Sequence, residues 1–372
     1  MKLIQKKLHI LRHGTPDYGF AGYANAWIPG DEENNRKYLK TLLTSAVLYF
    51  SPPAEICRKS MRQKHTSGVA DAQLVLAGIA VGDIAGELYE GCGCYGKYDS
   101  QNFPDAYRTM PLVSPKAHIT DDTVLSAAVM DAATVIKKDV EKRKISVENI
   151  ACVCRYECLL KDYAKQYPDA GYGGAFYRWA VNGEGDAGYK SYGNGGAMRA
   201  GVIGALFGAV DDVICQAVMS ALPTHSHPEG IKGAVLTAVA VFLALHGVDK
   251  KDILQYMSSY YQGVDFDEEP YRIRTDTDIK MMSRAKLPYL YASVRTQETI
   301  PEVIINLRNS NGYESCIRNV FRYICDSDTV GAVSGGIAAA LYPEELRKIC
   351  RGIQPCEGVY KALAEEILQK AR

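Results

Sequence analysis

Two short stretches hold more carboxylate and hydroxyl than local structure requires. Thr120-Asp121-Asp122-Thr123 precedes an apolar run, Val124-Leu125 through Val135-Ile136, and Asp326-Ser327-Asp328-Thr329 opens a second run, Val330-Gly331-Ala332-Val333 to Leu341. Taken alone, each is a helix start, with side-chain oxygens that accept from the free N–H groups of the first turn and carboxylates that face the positive end of the helix dipole. One helix needs one cap, however, not two carboxylates with threonines beside them. Crowded like charges cost free energy unless a cation neutralises them. If folding brings the stretches together, four Asp and two Thr oxygens form a hard, all-oxygen donor set. Such a set suits Mg2+ or Mn2+ and suits zinc poorly.

The elements that must position these groups read as helices. From Ala70, Leu74, Ile79, Ile84 and Leu88 recur among Ala77-Gly78, Gly82 and Ala85-Gly86, and such small residues let helix backbones approach closely. A helix is expected from Ser146 to Tyr167, before Pro168. Glycine then dominates, in Gly171-Tyr172-Gly173-Gly174 and Tyr192-Gly193-Asn194-Gly195-Gly196, and the second run feeds a helix expected over Ala197–Phe207. Bare N–H groups at such a junction form an anion site, but no Gly-Lys-Ser/Thr is present, so this is not a Walker loop. Thr224-His225-Ser226-His227 precedes Pro228, the expected first residue of a helix that ends at His246-Gly247. His225 and His227 alternate and do not share a helix face, a spacing more common in structural than in ligating pairs. Residues 262–300 read as a charged, aromatic surface excursion; Pro301 is expected to start a helix, Tyr313 to Ile324 to form another, and Pro355–Arg372 an amphipathic tail helix. Strand-type alternation is scarce after residue 70, so the expected fold is all-α, a single large bundle of many helices.

The 372 residues carry 43 basic and 43 acidic side chains, so net charge gives no support to nucleic-acid or membrane-surface binding. The eleven cysteines lack paired Cys-x-x-Cys spacing and read as reduced thiols of a cytoplasmic protein. The longest apolar run, Ala234 to Leu245, is read as too short to cross a bilayer. Residues 1–70 are set apart by aromatic, Gly and Pro punctuation around one expected helix, Asn35 to Phe50, and read as a small N-terminal extension to a domain over 71–372. Within the extension, Leu11-Arg12-His13-Gly14-Thr15 resembles the nucleophile motif of histidine phosphatases, but the region is too short for that family's α/β domain. Gly91-Cys92-Gly93-Cys94-Tyr95-Gly96 matches a dinucleotide fingerprint in letters but follows a helix-like run rather than a strand.

In chain order, the motifs resemble those of the ADP-ribosylglycohydrolase family. The matching stretches are Gly82-Asp83 with Gly86, Tyr89 and Glu90; Thr120-Asp121-Asp122-Thr123; Gly171-Tyr172-Gly173; Ser191-Tyr192-Gly193-Asn194-Gly195-Gly196-Ala197-Met198-Arg199; Thr224-His225 with His227-Pro228-Glu229-Gly230; and Asp326-Ser327-Asp328-Thr329. The resemblance covers residues 72–342 and implies an all-α orthogonal bundle with two Mg2+ or Mn2+ ions in a cleft. It further implies that Thr120, Asp121, Asp122, Asp326, Asp328 and Thr329 ligate the metals and that Glu90 is the acidic residue beside them. Glu90, Asp121 and Asp328 are thereby the expected catalytic residues. Gly171, Tyr172, Gly173, Ser191, Tyr192, Gly193 and Asn194 match loops that hold diphosphate and ribose, and His225 matches a residue near ADP-ribose. The implied reaction is metal-dependent hydrolysis of the bond between ADP-ribose and a modified protein or small molecule, a nucleic-acid end staying open as acceptor. The alternative is a non-catalytic ADP-ribose-binding or structural member of the fold. Ile324-Cys325 and Tyr342-Pro343 stand where the family usually has glycine.

Overall fold

The computed structural model describes residues 20–28, 31–60, 65, 67–87, 111–114, 117–184, 188–264, 266, 294–321, 325–353 and 360–372. The phosphatase-like and dinucleotide-like stretches, Glu90, and most of the 262–300 excursion lie outside them. The described chain is all-α. Its helices are, in order, α1 (Phe20–Ala26), α2 (Glu32–Phe50), α3 (Ala54–Ser60), α4 (Val69–Glu87), α5 (Asp121–Glu141), α6 (Ile150–Gln166), α7 (Gly174–Ala180), α8 (Gly195–Met198), α9 (Gly201–Leu206), α10 (Val210–Ala221), α11 (Pro228–Leu245), α12 (Lys250–Ser258), α13 (Thr296–Arg308), α14 (Tyr313–Val320), α15 (Ser327–Leu341), α16 (Pro343–Gly352) and α17 (Lys361–Lys370). Among the described residues the only extended pairings are single bridges, Lys190 with His225 and Gly193 with Arg295.

The centre is the antiparallel pair α4–α15, the most extensive helix contact among the described residues. Both helices are apolar and buried almost all round, as a helix without a solvent face must be. Glycines and a serine spaced by four residues set the approach: Gly78 faces Gly335, Gly82 faces Gly331, and Gly86 faces Ser327. A Cβ on Gly78 would lie 2.6 Å from the Gly335 carbonyl oxygen, closer than real Cβ atoms come, so only glycine permits this spacing. α11 packs against α8, α9, α10 and α15. It opens at Pro228 and closes at His246-Gly247, with Gly247 left-handed at φ 71°. By length and composition α4 and α11 could each cross a membrane, because Pro228–Leu245 is longer than the apolar run inside it; 78% of each is buried within the bundle.

The described part of the N-terminal region is built into the same core. Phe20, Leu39, Leu42, Leu43 and Phe50 are buried with the rest, and the Tyr256 and Tyr260 hydroxyls donate to the Phe50 and Tyr49 carbonyls at 2.7 and 2.8 Å.

Several boundaries differ from expectation. α6 starts at Ile150, because Asn149 accepts from the Ala151 N–H at 2.9 Å and outcompetes Ser146 as cap. α13 starts at Thr296 and carries Pro301 inside it. Its first turn is anchored from outside, by Thr296 N–H to the Tyr192 carbonyl at 3.1 Å and Thr296 Oγ1 to the Gly193 carbonyl at 2.5 Å. The helix expected over 197–207 is two short helices, with three-residue hydrogen bonds from Ala200 to Ala197 and from Ile203 to Ala200 at the break. The tail helix begins at Lys361 and α14 ends at Val320, while residues 322–324 and 354–359 of the two expected helices lie outside the described residues.

Candidate functional site

Asp83 fixes the first acidic corner. It is the only charged residue between Asp71 and Glu87 on α4. Its carboxylate accepts four hydrogen bonds from the start of α5: Thr120 N–H at 2.9 Å, Thr120 Oγ1 at 2.8 Å, Thr123 N–H at 3.1 Å and Thr123 Oγ1 at 2.5 Å. Burial raises its pKa to about 6, and these hydrogen bonds hold it from going higher. The second corner is held by the glycine contact. Where α15 begins, Ser327 Oγ donates to the Gly86 carbonyl at 2.9 Å, so the same helix, α4, carries both acidic corners.

The corners meet. Thr329 Oγ1 donates to Asp122 Oδ2 at 3.2 Å across 207 residues of sequence. Thr120 caps α5 through the Asp122 N–H at 3.3 Å. Asn194 Nδ2, from the glycine loop, donates to Asp326 Oδ2 at 2.7 Å and to Thr299 Oγ1 at 3.1 Å. Asp328 Oδ1 accepts from the Thr329 N–H at 2.7 Å. Asp122 is pushed well above its ordinary range by burial, then by the charges of Asp83, Asp121 and Asp326. Burial likewise raises Asp326, against hydrogen bonds from Asp328, Asn194 and Thr329. Among the described residues neither Asp122 nor Asp326 has a lysine or arginine partner. Asp122 Oδ1 is buried with no hydrogen-bond partner. An orphaned carboxylate oxygen within crowded acids and hydroxyls fits a hard divalent cation in donor chemistry. Among the described residues, though, no three carboxylate, imidazole or thiol groups stand close enough to form a ready-made cage.

These residues form one wall of a cavity of about 490 Å3, a volume suited to a nucleotide-sized ligand. Gly171, in the left-handed region at φ 92°, turns the chain into the opposite wall. There Tyr172 packs on Phe176 at 5.2 Å, its hydroxyl unpartnered. Ser191 Oγ accepts from the Gly193 N–H at 3.0 Å, and the Asn194 N–H donates to the Val294 carbonyl at 2.9 Å. Gly171, Tyr172, Gly173, Ser191, Gly193, Asn194, His225, Thr120, Asp121, Asp122, Asp326, Asp328 and Thr329 all line the cavity. Tyr192 does not: it is 47% exposed and packs on His227 at 5.6 Å. His225 is buried, its pKa lowered well below 6.5 by desolvation and then by Arg199. His227 is the N-cap of α11.

Among the cavity-lining residues given no role in the sequence are Tyr189, Arg199 and Val294. Asp83, behind the site, was quoted in a motif without a role.

A family model described as ADP-ribosylglycohydrolase matches residues 70–372. The Homo sapiens ADP-ribosylhydrolase ARH3 is 24% identical over 367 residues, covering 80% of this chain and 93% of that protein. The Gallus gallus ADP-ribosylhydrolase ARH3 is 25% identical over 362 residues, covering 79% and 93%. A solved structure named ADP-ribosylglycohydrolase-related protein complex aligns with a TM-score of 0.47 at 21% identity, over 81% of this chain and 96% of that one.

Proposed function

The chain belongs to the ADP-ribosylglycohydrolase family, and from that premise we propose that it hydrolyses the glycosidic bond between ADP-ribose and a modified acceptor, with two Mg2+ or Mn2+ ions as cofactors. Family membership makes ADP-ribosylated molecules the substrate class. The observation that carries the reading is the contact between Asp122 and Thr329, which joins two distant acidic corners on the wall of a nucleotide-sized cavity.

Thr120, Asp121, Asp122, Asp326, Asp328 and Thr329 would hold the ions. When bound, the ions supply Lewis-acid polarisation of ribose hydroxyls and a water of lowered pKa. Asn194 orients Asp326 through its 2.7 Å hydrogen bond. The Gly171–Gly173 and Ser191–Asn194 loops hold the diphosphate and ribose, and His225 contacts the nucleotide. Cleavage at the anomeric carbon builds positive charge on the ribose, which neighbouring carboxylates stabilise. Glu90, outside the described residues, is assigned the proton transfer on the acceptor side, with Asp121 and Asp328 in the catalytic centre.

A second reading, an ADP-ribose binder without turnover, is favoured by one observation, the lack of a closed acid cage among the described residues. One experiment separates the two. Arginine, serine and DNA acceptors carrying ADP-ribose are incubated with the chain in Mg2+, in Mn2+ and in chelator. Release of free ADP-ribose in at least one metal, lost in chelator, is expected. Tight binding of ADP-ribose with no release from any acceptor would leave the binder as the answer.

A further inference from the structure

Arg199 is completely buried, and among the described residues it has no carboxylate partner. A fully buried guanidinium that forms no salt bridge, with Asp121 acting on it only through its charge, is expensive and calls for a reason. Arg199 Nη2 donates to the Ser220 carbonyl at 3.1 Å and to Thr224 Oγ1 at 2.7 Å. Thr224 Oγ1 in turn lies 2.8 Å from His225 Nδ1. Among the described residues the Thr224 hydroxyl, itself fully buried, has no other partner.

This connectivity fixes the proton positions. A hydroxyl has one proton and two acceptor sites. Arg199 can only donate, so it occupies an acceptor site of Thr224 Oγ1. If Nδ1 also donated, the Thr224 proton would be buried with no acceptor, at a cost of about 1–3 kcal/mol. The satisfied arrangement is guanidinium to hydroxyl to bare Nδ1, which leaves the imidazole proton on Nε2. His225 lines the cavity, and its Nε2 lies beside the Cα positions of Gly193 and Gly195, where added Cβ atoms would come within 3.7 and 3.0 Å of it. Glycine at both positions keeps Nε2 uncovered.

We propose that Arg199 and Thr224 are positioning residues that hold His225 as the neutral tautomer protonated on Nε2, so that it presents a hydrogen-bond donor to an oxygen of bound ADP-ribose. This rests on the proposed substrate class for the choice of ligand, but not for the tautomer. The guanidinium acts from behind: it polarises the Thr224 O–H toward Nδ1, and its charge opposes a second positive charge on the ring. A neutral donor of fixed direction binds a phosphate or ribose oxygen without the desolvation cost of an imidazolium.

The test uses the full chain labelled with 15N in histidine. Long-range proton–nitrogen correlation reports which ring nitrogen carries the proton, and His225→Gln identifies the His225 signals. The wild type without ligand is expected to show Nε2 protonated and Nδ1 bare. Thr224→Val, isosteric but without the hydroxyl, is expected to shift His225 toward protonated Nδ1 and to weaken ADP-ribose binding about tenfold by calorimetry. Thr224→Ser, which restores the hydroxyl, is expected to restore both readings and shows that the valine result is not misfolding. A wild-type His225 protonated on Nδ1, or a Thr224→Val chain with unchanged tautomer and affinity, overturns the proposal. If the wild type does not bind ADP-ribose yet the tautomer follows residue 224, the relay stands and the substrate reading falls.

Discussion

Gly82→Ala tests whether backbone contact between α4 and α15 is what assembles the site. A Cβ on Gly82 would lie inside 3.0 Å of the Gly331 carbonyl oxygen, on a helix interior that cannot yield as a side chain would. Restoring ordinary contact requires the two helices to part by about 1 Å. Thr329 is two residues from Gly331, so its 3.2 Å hydrogen bond to Asp122 would open to about 4 Å, beyond hydrogen-bond range. Two effects compete. Alanine gains about 1 kcal/mol over glycine in a helix interior. Overpacking costs about 1–3 kcal/mol, and the lost hydrogen bond about 1 kcal/mol more. The structure therefore gives net destabilisation of about 2 kcal/mol, a fall in Tm of about 2–3 °C for a chain of 372 residues, with a larger loss of hydrolysis than of folding. Gly22 supplies the control, since it lies in α1 with nothing within 4 Å of an added Cβ. Gly22→Ala should leave Tm unchanged or slightly raised. Thermal unfolding and ADP-ribose release are measured for both. A Gly82→Ala chain as stable as Gly22→Ala, with full activity, would refute the packing argument.

The remaining predictions concern the acids and the buried histidine. Asp328→Asn keeps side-chain volume and removes a charge from the crowded corner, so turnover should be abolished while Tm stays near that of the wild type; a normal rate of ADP-ribose release from this variant would end the assignment. His225 sets one part of the acid limb of stability. Its folded pKa is well below 6.5, so the unfolded chain takes up a proton that the folded chain refuses, and stability present above about pH 6.5 is lost as pH falls, by up to about 1.4 kcal/mol per pH unit. Asp83 acts in the opposite sense between 3.8 and about 6: the folded chain holds its proton longer there, and that contribution is lost as pH rises. Asp83 is common to wild type and His225→Gln, so the difference between their urea midpoints isolates the histidine. That difference should vary with pH below 6.5 and level off above it; a constant difference from pH 5 to 8 would show that His225 is not held neutral.

The acidic corners were legible because their excess was local. Two carboxylates with threonines exceed what one helix start can use, and the surplus needs no alignment to be seen. The ends of α11 were legible for the same reason, since Pro228 and Gly247 are backbone signals carried by single residues. The boundaries that were missed depend on distant partners. Pro301 looks like a helix start, but α13 begins five residues earlier because Thr296 is tied to the Tyr192 and Gly193 carbonyls, which no local pattern announces. The break after Met198 is likewise invisible in a run of small and apolar letters.

Asp83 and Arg199 show what signal was available for the residues that position the site. Each is a lone charge in an apolar or small-residue run that is otherwise ready for burial. A charge there must either be expelled, which the run forbids, or be satisfied by partners from elsewhere in the chain. Asp83 is satisfied by four donors from the start of α5, and Arg199 in part, through Nη2, by Ser220 and Thr224, its Nε and Nη1 staying without a hydrogen-bond partner. In both cases the partners adjoin a residue of the cavity, Asp122 in one and His225 in the other. A buried charge draws its partners into a fixed geometry because leaving them unpaired costs more than ordering them. These two side chains give the acidic corner and the imidazole their directions without either having to touch substrate.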